Sequence, residues 1–581
     1  MLKKLTNSDV KVEIKEADFG KNELKEKEIH PDYFLFQSDA LKQIRFALDN
    51  PKIFPHFVIT GSEGIGKRSG ILSLLKKEYI TKNTYTKYYY FRKNNSIIED
   101  PDYKEGLVAL FDPDIETTSI VYDPTPSVMG LMGVPTEKRY QPGNLIKATG
   151  GYLVLPMFKL LNEPYLYDVL KSCLVTERLD FANLPEVSFF QSFDRALPQF
   201  PLQLRVILIG EDYLYEQLMK KDSDLRETFG IKIELDYEAE LSKKNINRFS
   251  LLIDNWVMED YPKPVPSAKK RLLEYALKLN DSQSKFSLRL TEIKKVFEES
   301  LALGKAKKEI TDAEIEAGIA NIDKRNSLHR KKYYEDIQNG SYNIFLTGKR
   351  VGRINGLSII ASPQNNYMPD YGQVNTISAR AVIGSGNFIN IEREVNLSGD
   401  IHDKGVFVLQ SYIKGFFSHL NSFALDASIM FEQNQYIVDG DSASAGELLA
   451  ILSALSDIEI SSTVAVSGSV TQYGEILPVG AINQKIEAWF DICQIMGSAR
   501  ETYSVYIPVA NSKDLILSEE IRESMKKDKF RILTFSHIID LIPELMKLQI
   551  GKIEKDGKYT QNSLMRAIED RVDRKKEIDK D

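Results

Sequence analysis

Residues 56–80 leave few folds open to this chain. HFVIT is a short apolar run, GSEGIGK is a glycine-rich loop, and RSGILSLLKKEYI carries apolar residues at helical spacing. Strand, glycine loop and helix in that order form the unit of a parallel sheet, because parallel strands need a long crossover and a helix supplies it. The pattern recurs. GGYLVLP (150–156) precedes the helical MFKLLNEPYLYDVLKSCLVT, LQLRVILIG (202–210) precedes YLYEQLMKK, and IKIELDY (231–237) is a further buried strand. An α/β domain with a mainly parallel sheet is expected over residues 39–240, behind a polar lead-in or packing arm, 1–38.

The texture then changes twice. From 241 to 335 the strand patterns stop and helical periods dominate, with a capping-box pattern in ITDAEI, where Thr311 precedes Glu314 by three. From 336 to 550 strands return, mixed with helices at GVFVLQSYIKGFFSHL, SAGELLAILSAL and INQKIEAWFDICQIM. Residues 551–581 are dense in both charge signs and read as a solvated helix or a frayed end.

Composition narrows the function classes. The chain has 581 residues, 43% hydrophobic and 27% charged, so large cores can form and global disorder is excluded. A net charge of −7 argues against nucleic acid as a main partner. No window approaches the roughly 20 apolar residues of a membrane span, and the lysines near the N-terminus have no apolar stretch behind them, as a secretory signal would. Two cysteines, Cys173 and Cys493, are too few for a disulfide framework and lack metal-ligand spacing. The expectation is a cytoplasmic protein with no membrane partner and no bound metal.

The chemistry concentrates in GDSASAGELLAILSAL and the downstream PVGAINQKIEAWF. Ser444 opens a helix, where unpaired backbone amides and the positive end of the dipole can hold a developing oxyanion. A serine hydroxyl needs a base within reach, and none of the six histidines lies in this segment. Lys485 can serve: Ile482, Ile486 and Trp489 surround it in sequence, and burial lowers a lysine toward neutrality. Serine–lysine pairs are an accepted variant of triad logic. Asp441 either supports the lysine or caps a turn. His402 and Lys404 either line a substrate groove or serve structure.

With these residues in view, the region from about 340 to 545 resembles the proteolytic domain of the Lon proteases. The family's Asp-Gly-Pro-Ser-Ala-Gly corresponds to Asp441-Ser442-Ala443-Ser444-Ala445-Gly446, without the Gly-Pro. Its Pro-Ile-Gly-Gly-Leu-Lys-Glu-Lys corresponds to PVGAINQK, which gives Lys485 the role of base and puts Asn483 at the first lysine. AVSGS corresponds to the family's Ala-Met-Thr-Gly-Glu, so Ser467 takes the place of a threonine that helps position the lysine. GDSAS, GKRVGRINGLSII (348–360), IEREVNLSGDIHDKGVFVL (391–409) and FEQ (431–433) are similar to a divergent, LonC-like or Lon-related branch. The resemblance implies amides near Ala443 and Ser444 as oxyanion donors, and a homohexamer.

The glycine loop reads as a P-loop. Gly61, Gly66 and Lys67 fit GxxxxGK, with Gly64 inside the loop, and such a loop cradles phosphates. The next position should carry a hydroxyl for Mg²⁺ and is Arg68; Ser69 comes one residue late. GGYLVLP resembles a Walker B strand, with Pro156 where an acidic ligand is expected. LRVILIG ends in Gly210-Glu211, not the polar residue of a sensor. Arg226 resembles an arginine finger, and Arg289 stands where a second sensor arginine would lie. The stretch between the P-loop and GGYLVLP is short against the helical insertion of related chains.

The fold class expected is therefore α/β multidomain: an AAA+-like α/β domain with a degenerate P-loop, a helical lid, and an α+β Lon-type proteolytic domain. The function expected is a serine endopeptidase acting on unfolded or damaged polypeptides. ATP or ADP would bind without being required, and with weak or no Mg²⁺-dependent hydrolysis. An ATP-driven unfoldase-protease and a non-proteolytic chaperone are the alternatives.

Overall fold

The computed structural model describes residues 2–19, 34–79, 90–92, 97–98, 107–109, 120–135, 140–163, 165–181, 199–257, 261–305, 307–360, 371–384, 386–417, 425–434, 437–555 and 557–578. Part of the expected N-terminal arm, most of the stretch between 80 and 119, and the last three residues lie outside these. Two compact units divide the chain: residues 16–276 with 287–314, and residues 1–15 with 277–286 and 315–581. The expected α/β and lid stretches thus fall largely into one unit.

The first unit is built on five parallel strands, β1 (Phe57–Thr60), β2 (Ile120–Tyr122), β3 (Tyr152–Pro156), β4 (Arg205–Gly210) and β5 (Ile231–Glu234), in the order β5-β1-β4-β3-β2. Phe57, Val58 and Ile59 are fully buried, which is why β1, an interior strand, reads as a continuous apolar run instead of alternating. Helix α1 (Lys67–Leu74) follows the glycine loop directly. Among the lid helices, α2 (Lys243–Trp256) buries Ile246, Phe249, Leu252 and Ile253, and α3 (Leu290–Leu303) buries Ile293, Val296, Phe297 and Leu301. Both sets follow the three-and-four spacing of one helical face.

The second unit centres on a mixed sheet of eight strands. From one edge these are Lys3–Lys4, β12 (Phe530–Phe535), β11 (Tyr503–Pro508), β10 (Val464–Val466), β6 (Arg353–Ile360), β7 (Tyr371–Ile383), β9 (Leu425–Phe431) and β8 (Phe388–Asn390). Strands β6, β10, β11 and β12 run parallel, whereas β6–β7 and β7–β9 are antiparallel. Alternation along the strands gives the sheet two cores. Ile354, Ile377, Ala379, Val464 and Val466 join one cluster with helix α5 (Ser444–Ser456), while Leu357, Val374 and Ala465 join another with α6 (Ile482–Met496). Residues of opposite parity point to opposite faces, so α5 and α6 cover opposite sides of the sheet.

The N-terminal residues pack as an arm, whereas the C-terminal stretch departs from its reading as a solvated helix or frayed end. Lys3–Lys4 pairs antiparallel with β12, and Leu5 and Val10 are buried beside it. The C-terminal stretch forms α7 (Leu564–Ile578), with Leu564, Met565, Ile568 and Val572 buried in the same cluster as α5. Those four sit on one stripe, and the charges occupy the remainder of the helix.

Candidate active site

Just beyond β10 the chain leaves the sheet at Ser467, and there it meets the loop that precedes α5. Gly468 N donates to the Ser442 carbonyl at 2.8 Å, and Ala445 N donates to the Gly468 carbonyl at 3.0 Å. This reciprocal pair fixes the start of α5 against the end of β10. Ser444 is the first residue of α5 and only 1% exposed. Its Oγ donates to the Asp441 carbonyl. Its amide donates to the same carbonyl at 3.1 Å, so of the two expected oxyanion donors only the Ala443 N–H has no acceptor among the described residues.

Lys485 lies in the first turn of α6, 3% exposed, and reaches this loop. Burial pushes its amine down to about 8, and the Asp441 carboxylate only partly offsets this. Asp441 is itself held by Ser469 Oγ at 2.6 Å, so it both orders the loop and faces the lysine.

Two expectations need correcting in detail. Lys485 Nζ makes its hydrogen bond to Ser442 Oγ, at 2.9 Å, and not to Ser444. Ser467, fully buried, does not bond the lysine; its Oγ donates to the Ser442 carbonyl at 3.3 Å. Ser442 thus carries the contact that the resemblance gave to Ser467.

His402 does not line a groove. It is 1% exposed within α4 (Asp400–Phe416), and its Nε2 lies 2.9 Å from Glu447 Oε1 on α5. Ser398 Oγ sits 2.8 Å from its Nδ1 and donates to Asp403 at 2.6 Å. Burial works against the charged imidazole, but Glu447 outweighs it and holds the ring above the usual histidine range. Lys404 is exposed. Gly405 lets α4 approach the site: a Cβ there would lie 3.2 Å from Asp441 Cβ and 3.6 Å from Ser444 Oγ. A glycine inside a helical pattern was the available signal for that approach, and a glutamate within the otherwise apolar run of α5 was the signal for the buried pair.

In the other unit, Gly66 has φ 85°, a conformation that suits glycine just before α1. Lys67 Nζ donates to the carbonyls of Gly61 and Ser62, both at 2.6 Å. Burial lowers its amine below the usual lysine range, with Glu211, Glu63 and Asp212 opposing. Arg68 stands where a magnesium-binding hydroxyl is expected, and its guanidinium stacks over Tyr122 at 5.5 Å. Ser69 is half-buried in the first turn of α1, and Pro156 ends β3 with no carboxylate. Thr291 of α3 donates its amide and hydroxyl to the Gly64 carbonyl, at 3.1 and 3.3 Å. That brings the helix capped by Arg289 to the loop. Arg226 is exposed on the short helix Leu225–Thr228 and forms no hydrogen bond or ion pair among the described residues. No group of three or more histidine, cysteine or acidic residues suited to a metal occurs among the described residues, and none of their helices is long and apolar enough to cross a membrane.

These features define an AAA-type nucleotide domain with a lid, joined to a peptidase domain. Family models agree: residues 121–236 match the LonB-like AAA domain, 265–325 the archaeal LonB AAA+ ATPase lid domain, and 369–547 the Lon protease C-terminal proteolytic domain. The chain belongs to the Lon protease family. A putative Lon protease homolog of Escherichia coli is 29% identical over 436 residues, covering 74% of this chain and 72% of the relative. Its counterpart from Haemophilus influenzae is 27% identical over 438 residues, covering 74% and 71%. The archaeal Lon protease of Pyrococcus abyssi is 24% identical over 439 residues, covering 73% of this chain and 40% of its own length.

Proposed function

We propose that this protein is a serine endopeptidase in which Ser442, and not the expected Ser444, is the nucleophile and Lys485 the general base. The observation that carries this reading is the 2.9 Å hydrogen bond between Ser442 Oγ and Lys485 Nζ, on a lysine buried in apolar surroundings with its amine lowered to about 8. Ser442 Oγ attacks the peptide carbonyl while neutral Lys485 takes the hydroxyl proton and returns it to the leaving amine. Water then cleaves the acyl-serine with Lys485 again as base. The Ala443 N–H supports the oxyanion, and Asp441 and Ser467 hold the loop.

Substrates of this site are unfolded or damaged polypeptides in the cytoplasm, and a homohexamer encloses them. The AAA-type unit binds ATP or ADP through Gly61, Gly64, Gly66, Lys67 and Ser69, with Arg289 at the lid. It hydrolyses nucleotide weakly or not at all, since neither Arg68 nor Pro156 can hold Mg²⁺. Peptide cleavage therefore proceeds without nucleotide.

The test is degradation of casein with and without ATP and Mg²⁺, with Ser442→Ala as the blank and Ser444→Ala beside it. Cleavage without ATP that is lost in Ser442→Ala is the expected result, and loss in Ser444→Ala alone would return the nucleophile to Ser444. Cleavage only with ATP favours the ATP-driven unfoldase-protease, and no cleavage under either condition favours a non-proteolytic scaffold. Light scattering reads assembly: six copies of the 66.2 kDa chain give about 400 kDa.

A further inference from the structure

The stretch 277–286 lies inside the lid sequence but belongs to the peptidase unit, while the residues just before and after it belong to the other unit. The chain enters it from the helix Pro266–Lys278 and leaves it along the strand Lys285–Ser287. Between them LNDSQS turns tightly. Asn280 N donates to the Leu277 carbonyl and Asp281 N to the Lys278 carbonyl, both at 3.1 Å, and Asp281 takes φ 44°, which an aspartate tolerates better than most residues. Three side chains of this stretch hold the peptidase unit. Gln283 Nε2 donates to the Asp9 and Leu515 carbonyls at 2.8 and 2.7 Å, and its amide donates to the Lys513 carbonyl at 3.2 Å. Lys278 Nζ pairs with Glu487 at 2.6 Å, and Asp281 Oδ1 accepts from Asn483 Nδ2 at 2.8 Å. The last two contacts fall on α6 on either side of Lys485, two residues before it and two after.

Resting on the Ser442–Lys485 reading, we propose that Asp281 is a positioning residue for the peptidase reaction: through Asn483 it fixes the first turn of α6 and so holds the Lys485 amine at Ser442. Asn483 is fully buried, and all of its polar groups are committed. Its Nδ2 also donates to the Asp514 carbonyl at 2.8 Å, and its Oδ1 accepts from Ile516 N at 2.7 Å. Just ahead of the helix, Asn511 Oδ1 accepts from Val479 N and its Nδ2 donates to the Val479 carbonyl, both at 2.9 Å. Without the Asp281 carboxylate one buried N–H of Asn483 has no acceptor, water enters to satisfy it, and the turn that carries Lys485 loosens. The general base is thus held in part by a stretch of chain whose two ends continue into the lid.

The contact has a signature in the titration of the base. Burial is what lowers the Lys485 amine, and Asp441 is the charged group acting on it. Asp281 therefore reaches Lys485 through Asn483 and not through its charge. Water admitted at the first turn of α6 favours the ammonium and moves the amine back toward its ordinary range. The charged groups facing Asp281 are Asp514, Glu487 and Lys278. Burial holds its carboxyl above the usual carboxylate range, the Asn483 bond and Lys278 opposing this and Asp514 and Glu487 adding to it.

The experiment measures kcat and KM of the full chain on a fluorogenic peptide between pH 6 and 10, for wild type, Asp281→Ala, Asp281→Asn and Ser442→Ala. Asp281→Ala is expected to lower kcat about tenfold with KM within about twofold. Its acidic limb should move to higher pH by about half a unit or more. Asp281→Asn, whose side-chain carbonyl still accepts from Asn483, should restore both. Asp281→Ala with wild-type kcat and limb overturns the proposal. So does a lower kcat with an unmoved limb, which marks a merely structural role, and so does an asparagine variant that restores neither. If Asp281→Ala does not fold, Gln283→Ala, which frees the stretch from the Asp9 and Leu515 carbonyls, is read in its place with the same direction of shift expected and an unmoved limb overturning the proposal. Labelling with a sulfonyl fluoride, located by mass spectrometry, separates these failures from failure of the underlying reading. Modification of Ser444 in place of Ser442, activity retained in Ser442→Ala, or an inert wild type overturns the Ser442–Lys485 assignment and the proposal with it.

Discussion

If Lys485 is the base, the rate of cleavage follows its neutral fraction. With the amine at about 8, about a tenth of the molecules carry a neutral lysine at pH 7, half at pH 8 and about nine-tenths at pH 9. Values of kcat/KM should therefore rise about fivefold from pH 7 to 8 and less than about twofold from 8 to 9. A lysine at its ordinary 10.5 would still gain about tenfold over that second interval. The assay is initial-rate cleavage of a fluorogenic peptide in constant-ionic-strength buffers, with substrate well below KM. Lys485→Arg serves as control and should be inactive at every pH, because a guanidinium does not deprotonate in this range. Two results refute the reasoning: a profile that is flat between pH 6 and 8, or one that climbs with unit slope through pH 10. The first removes Lys485 as the titrating base; the second means that its pocket is wet.

Lys485→Met should stabilise the protein. The folded-state value lies below the unfolded one, so the cost of burial is complete below about pH 8 and fades as pH rises toward 10.5; the gain is up to about 3 kcal/mol at pH 7, read from urea denaturation at pH 7 and 9.5. Glu447→Ala leaves His402 buried without its partner and should cost about 3–5 kcal/mol. Because His402 is held above its ordinary value, that cost is largest below about pH 6.5 and shrinks as pH rises through the folded-state value, which melting curves at pH 6 and pH 8.5 would resolve. Ile568→Ala should cost about 2–4 kcal/mol, measured by the same denaturation, although it lies in a helix that looks solvated by composition.

Local patterns were legible where local physics decides the outcome. The run FVIT, the glycine loop and the helix after it appear as β1, the P-loop and α1, because strand burial, positive φ and helical spacing are properties of adjacent residues. The opening of α5 at Ser444 and the burial of Lys485 were readable for the same reason. Non-local register was not readable. Nothing within Lys3–Lys4 announces pairing with Leu533 and Thr534. The helix of residues 564–578 shows a different failure. Its stripe of Leu564, Met565, Ile568 and Val572 is present in the sequence, but the dense charges on the rest of the helix mask that periodicity. The partner of Lys485 also depended on register: Ser442 and Ser444 lie two residues apart, and where β10 pins the loop decides which hydroxyl faces α6.

The energetics of the site and its proposed chemistry are one quantity seen twice. Holding Lys485 in apolar surroundings costs about 3 kcal/mol, which is the free energy that moves its proton affinity from the alkaline range to near neutrality. The loop around Ser442 must therefore be pinned by interactions that do not themselves titrate near pH 7. The amide of Gly468, the Ser467 hydroxyl and the Ser469 hydroxyl meet that condition. A carboxylate bonded directly to Nζ would not, since it would restore the charged lysine. Asp441 faces the amine but is engaged by Ser469, which limits that effect while keeping the loop ordered. It follows that Ser469→Ala, by releasing the Asp441 carboxylate toward Lys485, should move the acidic limb of kcat/KM to higher pH. A limb that stays in place or moves to lower pH would refute this role of Ser469.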